Sequence, residues 1–231
     1  MDKKNPQNNI KAFKVWGNVY QIGGPEISGP EDCSVYMISS RQDLLLVDSG
    51  AGQSFDRLVQ NIESLGFDPK KIKIVVATHA HLDHIGSLAR FKEKFGVKVI
   101  AHKLDAEEIE TGKEVGAELY GLRYRPCKVD IKLTEEKERL IFGEYELNIL
   151  HTPGHTPGSI ACYLDVGDKR ILFGQDIHGP YNLPGADLRA AKNSLQKLID
   201  LQADILCEGH FGIYQPKEEV EKYIESYLEE L

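Results

Sequence analysis

An apolar run over 72–77 passes without a break into Thr78-His79-Ala80-His81-Leu82-Asp83-His84. A short run of this kind reads as a strand covered on both faces, which calls for layers on either side of a sheet. Side chains two apart in extended backbone point the same way, so His79 and His81 can reach one point in space. Asp83 and His84 fall where the next helix begins and aim at a neighbouring point. Neutral imidazole and carboxylate are donors that suit zinc, iron or manganese. The plainer reading is a polar strand-to-helix turn with an Asp cap. So many ligand-type side chains at one strand end argue against it.

The rest of the chain alternates in the same style. Residues 15–22 read as a hairpin turning at Gly17-Asn18. Strands follow at 35–38 and 44–47 around a polar turn at 39–43, and the second ends in Asp48-Ser49-Gly50. Phe55, Leu58, Val59, Ile62 and Leu65 recur at helical spacing, predicting a helix over 53–65 with Gly66 as its cap. Further helices are expected over 85–95, 104–119, 188–201 and 218–228. Strands are expected at 97–101, 128–133, 138–142, 144–150, 159–164, 170–174 and 203–207. Strands outnumber helices and helices occur in both halves, which points to an α/β chain: a two-sheet core with helices outside. No linker or composition shift interrupts it, so one domain over 1–231 is expected, with 1–10 as a lead-in.

Three more donors stand at strand ends. His155 lies in Thr152-Pro153-Gly154-His155-Thr156-Pro157-Gly158, a loop stiffened by two Pro-Gly pairs. Asp176 closes Leu172-Phe173-Gly174-Gln175-Asp176, and His210 lies in Glu208-Gly209-His210-Phe211-Gly212. Each alone is weak evidence. Together they match the way loop-borne sites gather on a rigid scaffold.

The order His-x-His-x-Asp-His, then Thr-Pro-Gly-His-Thr, then Gly-x-Asp, then Gly-His resembles the metallo-β-lactamase superfamily, from Asp48 to His210. The resemblance implies a four-layer αββα sandwich of two mixed sheets, with a binuclear metal site at one edge. It assigns one ion to His79, His81 and His155, a second to Asp83, His84 and His210, and a bridging role to Asp176. Asp48 becomes a supporting residue behind the ligands. One departure stands out: the family places Gly directly before the bridging Asp, and here Gln175 intervenes. The flavodiiron branch carries Glu where His81 stands.

The resemblance implies metal-assisted hydrolysis, in which two divalent ions, zinc first and iron or manganese as alternatives, activate a shared water against a carbonyl or phosphoryl centre. Asp83 is then both ligand and proton carrier to the leaving group. An ester, lactone or thioester is the expected small-molecule substrate. Glyoxalase II enzymes carry a C-terminal helical region for glutathione, whereas 21 residues follow His210 here. The RNA-processing branch needs a large inserted domain. With 28 Lys+Arg against 36 Asp+Glu the formal charge is −8, which argues against a nucleic-acid partner. No apolar run approaches a bilayer span, no signal-type stretch follows the N-terminus, and the four cysteines form no C-x-x-C pair. A cytoplasmic protein is expected, with no membrane partner. Two alternatives remain: a mononuclear iron persulfide dioxygenase using His79, His155 and Asp176, and a non-catalytic relative.

Other residues carry weaker signals. His178, two past Asp176, and Tyr181 are candidates for the pocket wall, as are Tyr120 and Tyr124, with plain packing as the competing reading. His102 and His151 read as structural, and Cys33, Cys162 and Cys207 as inert core thiols. The terminal helix reads as packing on the sandwich or joining a homodimer.

Overall fold

The computed structural model describes residues 11–41 and 43–231; the expected lead-in lies outside them. Strands β1 (Phe13–Trp16), β2 (Val19–Gly23), β3 (Val35–Ser40), β4 (Asp43–Val47), β5 (Ile72–Val76), β6 (Lys98–His102) and β7 (Ile131–Leu133) form one sheet in that spatial order. The β1–β4 pairs are antiparallel, and β4 through β7 are parallel. The second sheet contains β8 (Lys137–Phe142), β9 (Tyr145–His151), β10 (Ile160–Val166), β11 (Lys169–Gln175), β12 (Ile205–Glu208) and β13 (Ile213–Tyr214). It is antiparallel apart from the parallel β11–β12 pair.

Strand periodicity explains the layering. Along β3 and β4, Val35, Met37, Leu44 and Leu46 face helices, while Tyr36, Ile38, Leu45 and Val47 face the other sheet. Along β11 and β12 the same alternation sends Ile171, Phe173, Ile205 and Cys207 inward and Leu172 and Leu206 outward. Helix α1 (Phe55–Ser64) covers the first sheet with Phe55, Leu58 and Ile62. Helices α5 (Leu188–Asp200) and α6 (Lys217–Glu230) cover the second with Leu195, Leu198, Val220 and Ile224. The result is the expected αββα sandwich of two mixed sheets. No helix among the described residues is long and apolar enough to cross a membrane.

Glycines account for two departures from the expected helices. The helix expected over 85–95 is split into α2 (Leu82–Ile85) and α3 (Leu88–Phe95). Between them Gly86 lies against the Ala51–Gly52 backbone, where a Cβ would overlap the Ala51 carbonyl. The helix expected over 104–119 shrinks to α4 (Ala106–Thr111), which stops at Gly112 in the left-handed region (φ 76). A single 3₁₀ turn, Ala117–Tyr120, follows between Gly116 and Gly121, both also left-handed. The two-residue β13 is too short for any sequence periodicity to announce.

The inner face of the sandwich should behave as a close-packed core. Phe173 is fully buried between the sheets with its ring 5.5 Å from Tyr36. Phe173→Ala is expected to cost about 3–5 kcal/mol in urea unfolding; a loss below about 1 kcal/mol would show that the sheets do not pack there.

Candidate metal centre

The seven candidate ligands all follow strand ends on one edge of the sandwich. His79 and His81 leave β5, and Asp83 and His84 sit in α2. His155 lies in the β9–β10 connection, Asp176 directly after β11 and His210 just beyond β12. His81 is the extended residue that caps α2 (φ −80, ψ 145), so the chain turns from strand to helix inside the motif.

Two groups of lone-pair atoms emerge. In the first, His81 Nδ1 lies 3.1 Å from His79 Nε2 and 2.8 Å from His155 Nε2. Asp176 Oδ2 stands 3.3 Å from His155 Nε2 and 3.7 Å from His79 Nε2. In the second, Asp83 Oδ2 lies 3.4 Å from His84 Nε2 and 3.2 Å from His210 Nε2, and the two imidazole nitrogens are 3.4 Å apart. Asp176 Oδ1 completes it, 3.3 Å from His84 Nε2 and 3.5 Å from His210 Nε2. Asp176 thus offers one oxygen to each group. Gln175 does not displace it. Instead Gln175 itself takes the left-handed backbone (φ 52) that a glycine would adopt freely, and the β11–β12 register shifts there.

In three of the rings the far side is already engaged. His84 Nδ1 faces Asp48 Oδ2 at 2.7 Å, and His155 Nδ1 faces the Pro180 carbonyl at 3.0 Å. Thr78 gives its hydroxyl to Asp48, leaving its oxygen to accept from His79 Nδ1 at 3.3 Å. With Nδ1 protonated in these three rings, Nε2 presents a bare lone pair inward. Asp48 is fully buried, and burial pushes its carboxyl up, with His84 and the Thr78 donors pulling the other way.

The electrostatics follow from this crowding. Burial, then the neighbouring His155 and His84, pushes His81 down to about 4. Burial works against ionisation of Asp83 and Asp176, but His84 foremost among the imidazoles outweighs it and holds both carboxyls low. Burial likewise opposes charge on His210, yet Asp176 and Asp83 raise it to about 9. A divalent cation would replace protons that these groups otherwise share. Asp176 Oδ1 is buried and has no hydrogen-bond donor among the described residues, as expected of an oxygen meant for a cation.

Two buried carboxylates were not anticipated from the sequence. Asp105 accepts from Ala80 N–H (2.9 Å), from the Thr156 hydroxyl (2.7 Å) and from Gly158 N–H (2.6 Å). It thereby ties the His79–His81 segment to the loop that carries His155. Glu208 accepts from His178 Nδ1 at 2.9 Å and from Phe211 N–H at 2.7 Å, so it holds the turn that carries His210. The only sequence signal was an acidic residue placed where a strand gives way to a loop.

The weaker candidates divide. His178 packs edge-on against His210, with ring centres 5.2 Å apart. Tyr181 lies edge-on beside His155 at 6.4 Å, its hydroxyl donating to the Ile177 carbonyl. Burial, foremost, and the neighbouring Asp83 carboxylate push the Tyr120 phenol up. Tyr124 packs on the outer core and donates to the Ile109 carbonyl. His102 and His151 stack on each other at 4.0 Å and join no ligand group among the described residues. Cys33 lies near Asp48 and His84, but burial pushes its thiol far up, leaving a protonated neighbour rather than a thiolate.

Comparison with known proteins agrees with this geometry. Residues 28–210 match the Metallo-beta-lactamase superfamily, and the chain belongs to that family. It is 31% identical to a protein of Methanocaldococcus jannaschii described as "Probable metallo-hydrolase", over 76% of this chain and 85% of that one. It is 28% identical to the hydroxyacylglutathione hydrolase of Haemophilus influenzae, over 82% of this chain and 89% of that one. Among solved structures, a subclass B3 metallo-beta-lactamase of Bradyrhizobium japonicum superposes with a TM-score of 0.81 at 25% identity, covering 98% of this chain and 94% of that one.

Asp105→Ala would leave the Ala80 and Gly158 backbone N–H groups without an acceptor. Affinity for the first of two cobalt ions should fall about 10–100-fold in a chelator competition titration. Unchanged affinity would show that the two segments hold their places without it.

Proposed function

We propose that this protein is a metal-dependent hydrolase acting on an ester, lactone or thioester at a binuclear centre, with zinc as the native ion. His79, His81 and His155 would hold one ion, Asp83, His84 and His210 the other, and Asp176 both. The observation that carries this reading is the spacing of the donor atoms. Four ligands arranged tetrahedrally at zinc–nitrogen distances stand about 3.3–3.4 Å apart. In the second group the five pairs that involve an imidazole stand at 3.2–3.5 Å.

Two divalent ions so held would supply Lewis-acid polarisation of a carbonyl and a water acidic enough to react near neutral pH. The chain's own residues do the rest. Asp48, Thr78 and the Pro180 carbonyl fix which nitrogen His84, His79 and His155 turn inward. Asp83 is the carboxylate that would carry a proton to the leaving atom. The second ligand group favours hydrolysis over the one-iron persulfide oxygenase, which needs only His79, His155 and Asp176. The relatives' descriptions support the same class.

Elemental analysis of the zinc-loaded protein should find about two ions per chain, with turnover of a simple ester or thioester. His84→Ala should lower occupancy to about one ion and abolish most of that turnover. One iron per chain with oxygen uptake on a persulfide would replace this reading by the oxygenase. Asp48→Asn, which withdraws the charge behind His84, should weaken the second ion about 10–100-fold; unchanged affinity would remove Asp48 from the supporting role.

A further inference from the structure

A groove of about 620 Å³ opens at His210 and runs away from the metal centre between the strand β1 edge and the segment after β12. Phe13, Val15 and Ile27 line one part of it, and Phe211 and Ile213 another. Phe211 is 59% exposed and Phe13 37%, so both phenyl rings present apolar surface to whatever enters. We propose that this groove binds an uncharged, apolar arm of the substrate, an alkyl or acyl chain, rather than a glutathionyl peptide. The inference rests on the hydrolase reading above and names the substrate class of that same site.

Three observations carry it. First, the groove is continuous with the centre: His210 belongs to both, and its Nε2 lies 3.2 Å from Asp83 Oδ2. A substrate whose carbonyl meets the ligand groups therefore has its remainder directed along these walls. Second, the amide hydrogens of Gln21 in the lining are already engaged. Gln21 Nε2 spends its hydrogens on the Gly23 carbonyl (3.1 Å) and on Ser34 Oγ (3.3 Å). No buried, unpaired polar side-chain atom among the described residues lines the groove. Such a surface selects by shape and apolarity, not by hydrogen bonding. Third, the charges are wrong for a peptide acid. A glutathionyl arm brings two carboxylates against one ammonium, a net charge of −1. The groove meets them with one cation, Lys14, and one anion, Glu26, on a chain of formal charge −8.

The test uses the zinc-loaded full chain and two substrate series. One varies the acyl chain of p-nitrophenyl esters from acetate to decanoate. The other varies the thiol of S-acetyl thioesters from ethanethiol to decanethiol, with S-acetylglutathione alongside. In at least one series kcat/KM should rise about two- to fourfold per added methylene until the groove is filled. S-acetylglutathione should be the poorer thioester. Phe13→Asp and Phe211→Asp should each lower the long-to-short ratio at least about tenfold, at unchanged metal content and circular dichroism. Turnover with flat profiles in both series, or preference for S-acetylglutathione, overturns the assignment of the groove and leaves the hydrolase intact. No turnover of any substrate at two ions per chain overturns both. A variant that fails to fold does not matter to this outcome, because the unsubstituted protein's chain-length profile decides it.

Discussion

The Asp48 carboxylate, fully buried between Thr78 and His84, shows the constraint under which this edge of the molecule is built. Seven ligand-type groups crowd to within 2.8–3.7 Å of one another here, and the partners behind them decide which atoms face inward. Asp48 takes the hydrogen of His84 and, through Thr78, orients His79. Asp105 and Glu208 do the equivalent work for backbone, pinning the segments that carry His79, His81, His155 and His210. Each is a buried charge that would be costly alone and is offset by several donors. The ligands are the visible part of a site whose rigidity comes from the row behind them.

The sandwich supplies what those carboxylates need. Parallel pairing of β4 with β5, and of β11 with β12, brings Asp48 beside Thr78 and Asp176 beside His210 at neighbouring strand ends. The inner apolar layer fixes the distance between the two sheets. The Tyr36 hydroxyl adds a direct tie, donating across to the Glu208 carbonyl at 2.8 Å. Close packing resists small displacements, so a site assembled from both sheets keeps sub-ångström relations that loops alone would not. The apolar groove at His210 is a product of the same arrangement, since its walls come from β1 in one sheet and the turn before β13 in the other.

Much of this was legible beforehand where the signal is local. The continuous apolar runs of β3 and β4, the helical stripe of α1 and the run from Val76 into His79 depend on residues a few positions apart. The reading failed where a local pattern met a tertiary demand. Residues 104–119 look helical by composition, but Gly112 and Gly116 adopt left-handed backbone and the segment breaks. Gly86 lies at the break between α2 and α3, where the Ala51–Gly52 backbone occupies the space a side chain would need. Asp105 and Glu208 were passed over because an acidic residue at a strand end looks the same whether it meets solvent or three buried donors.

The amino-acid sequence by itself determined which donors exist, their order and the pairing of His79 with His81. A spacing of two lets both rings reach one point, although the backbone bends at His79 and Ala80, where Asp105 holds it. Only the tertiary structure decided that His155 joins His81 across 74 positions and that His210 joins His84 across 126. It also decided which nitrogen each ring turns inward, and that Asp176 lends one oxygen to each group. Those relations are set by how two sheets close over a shared apolar layer, a non-local packing problem that no short stretch of sequence encodes.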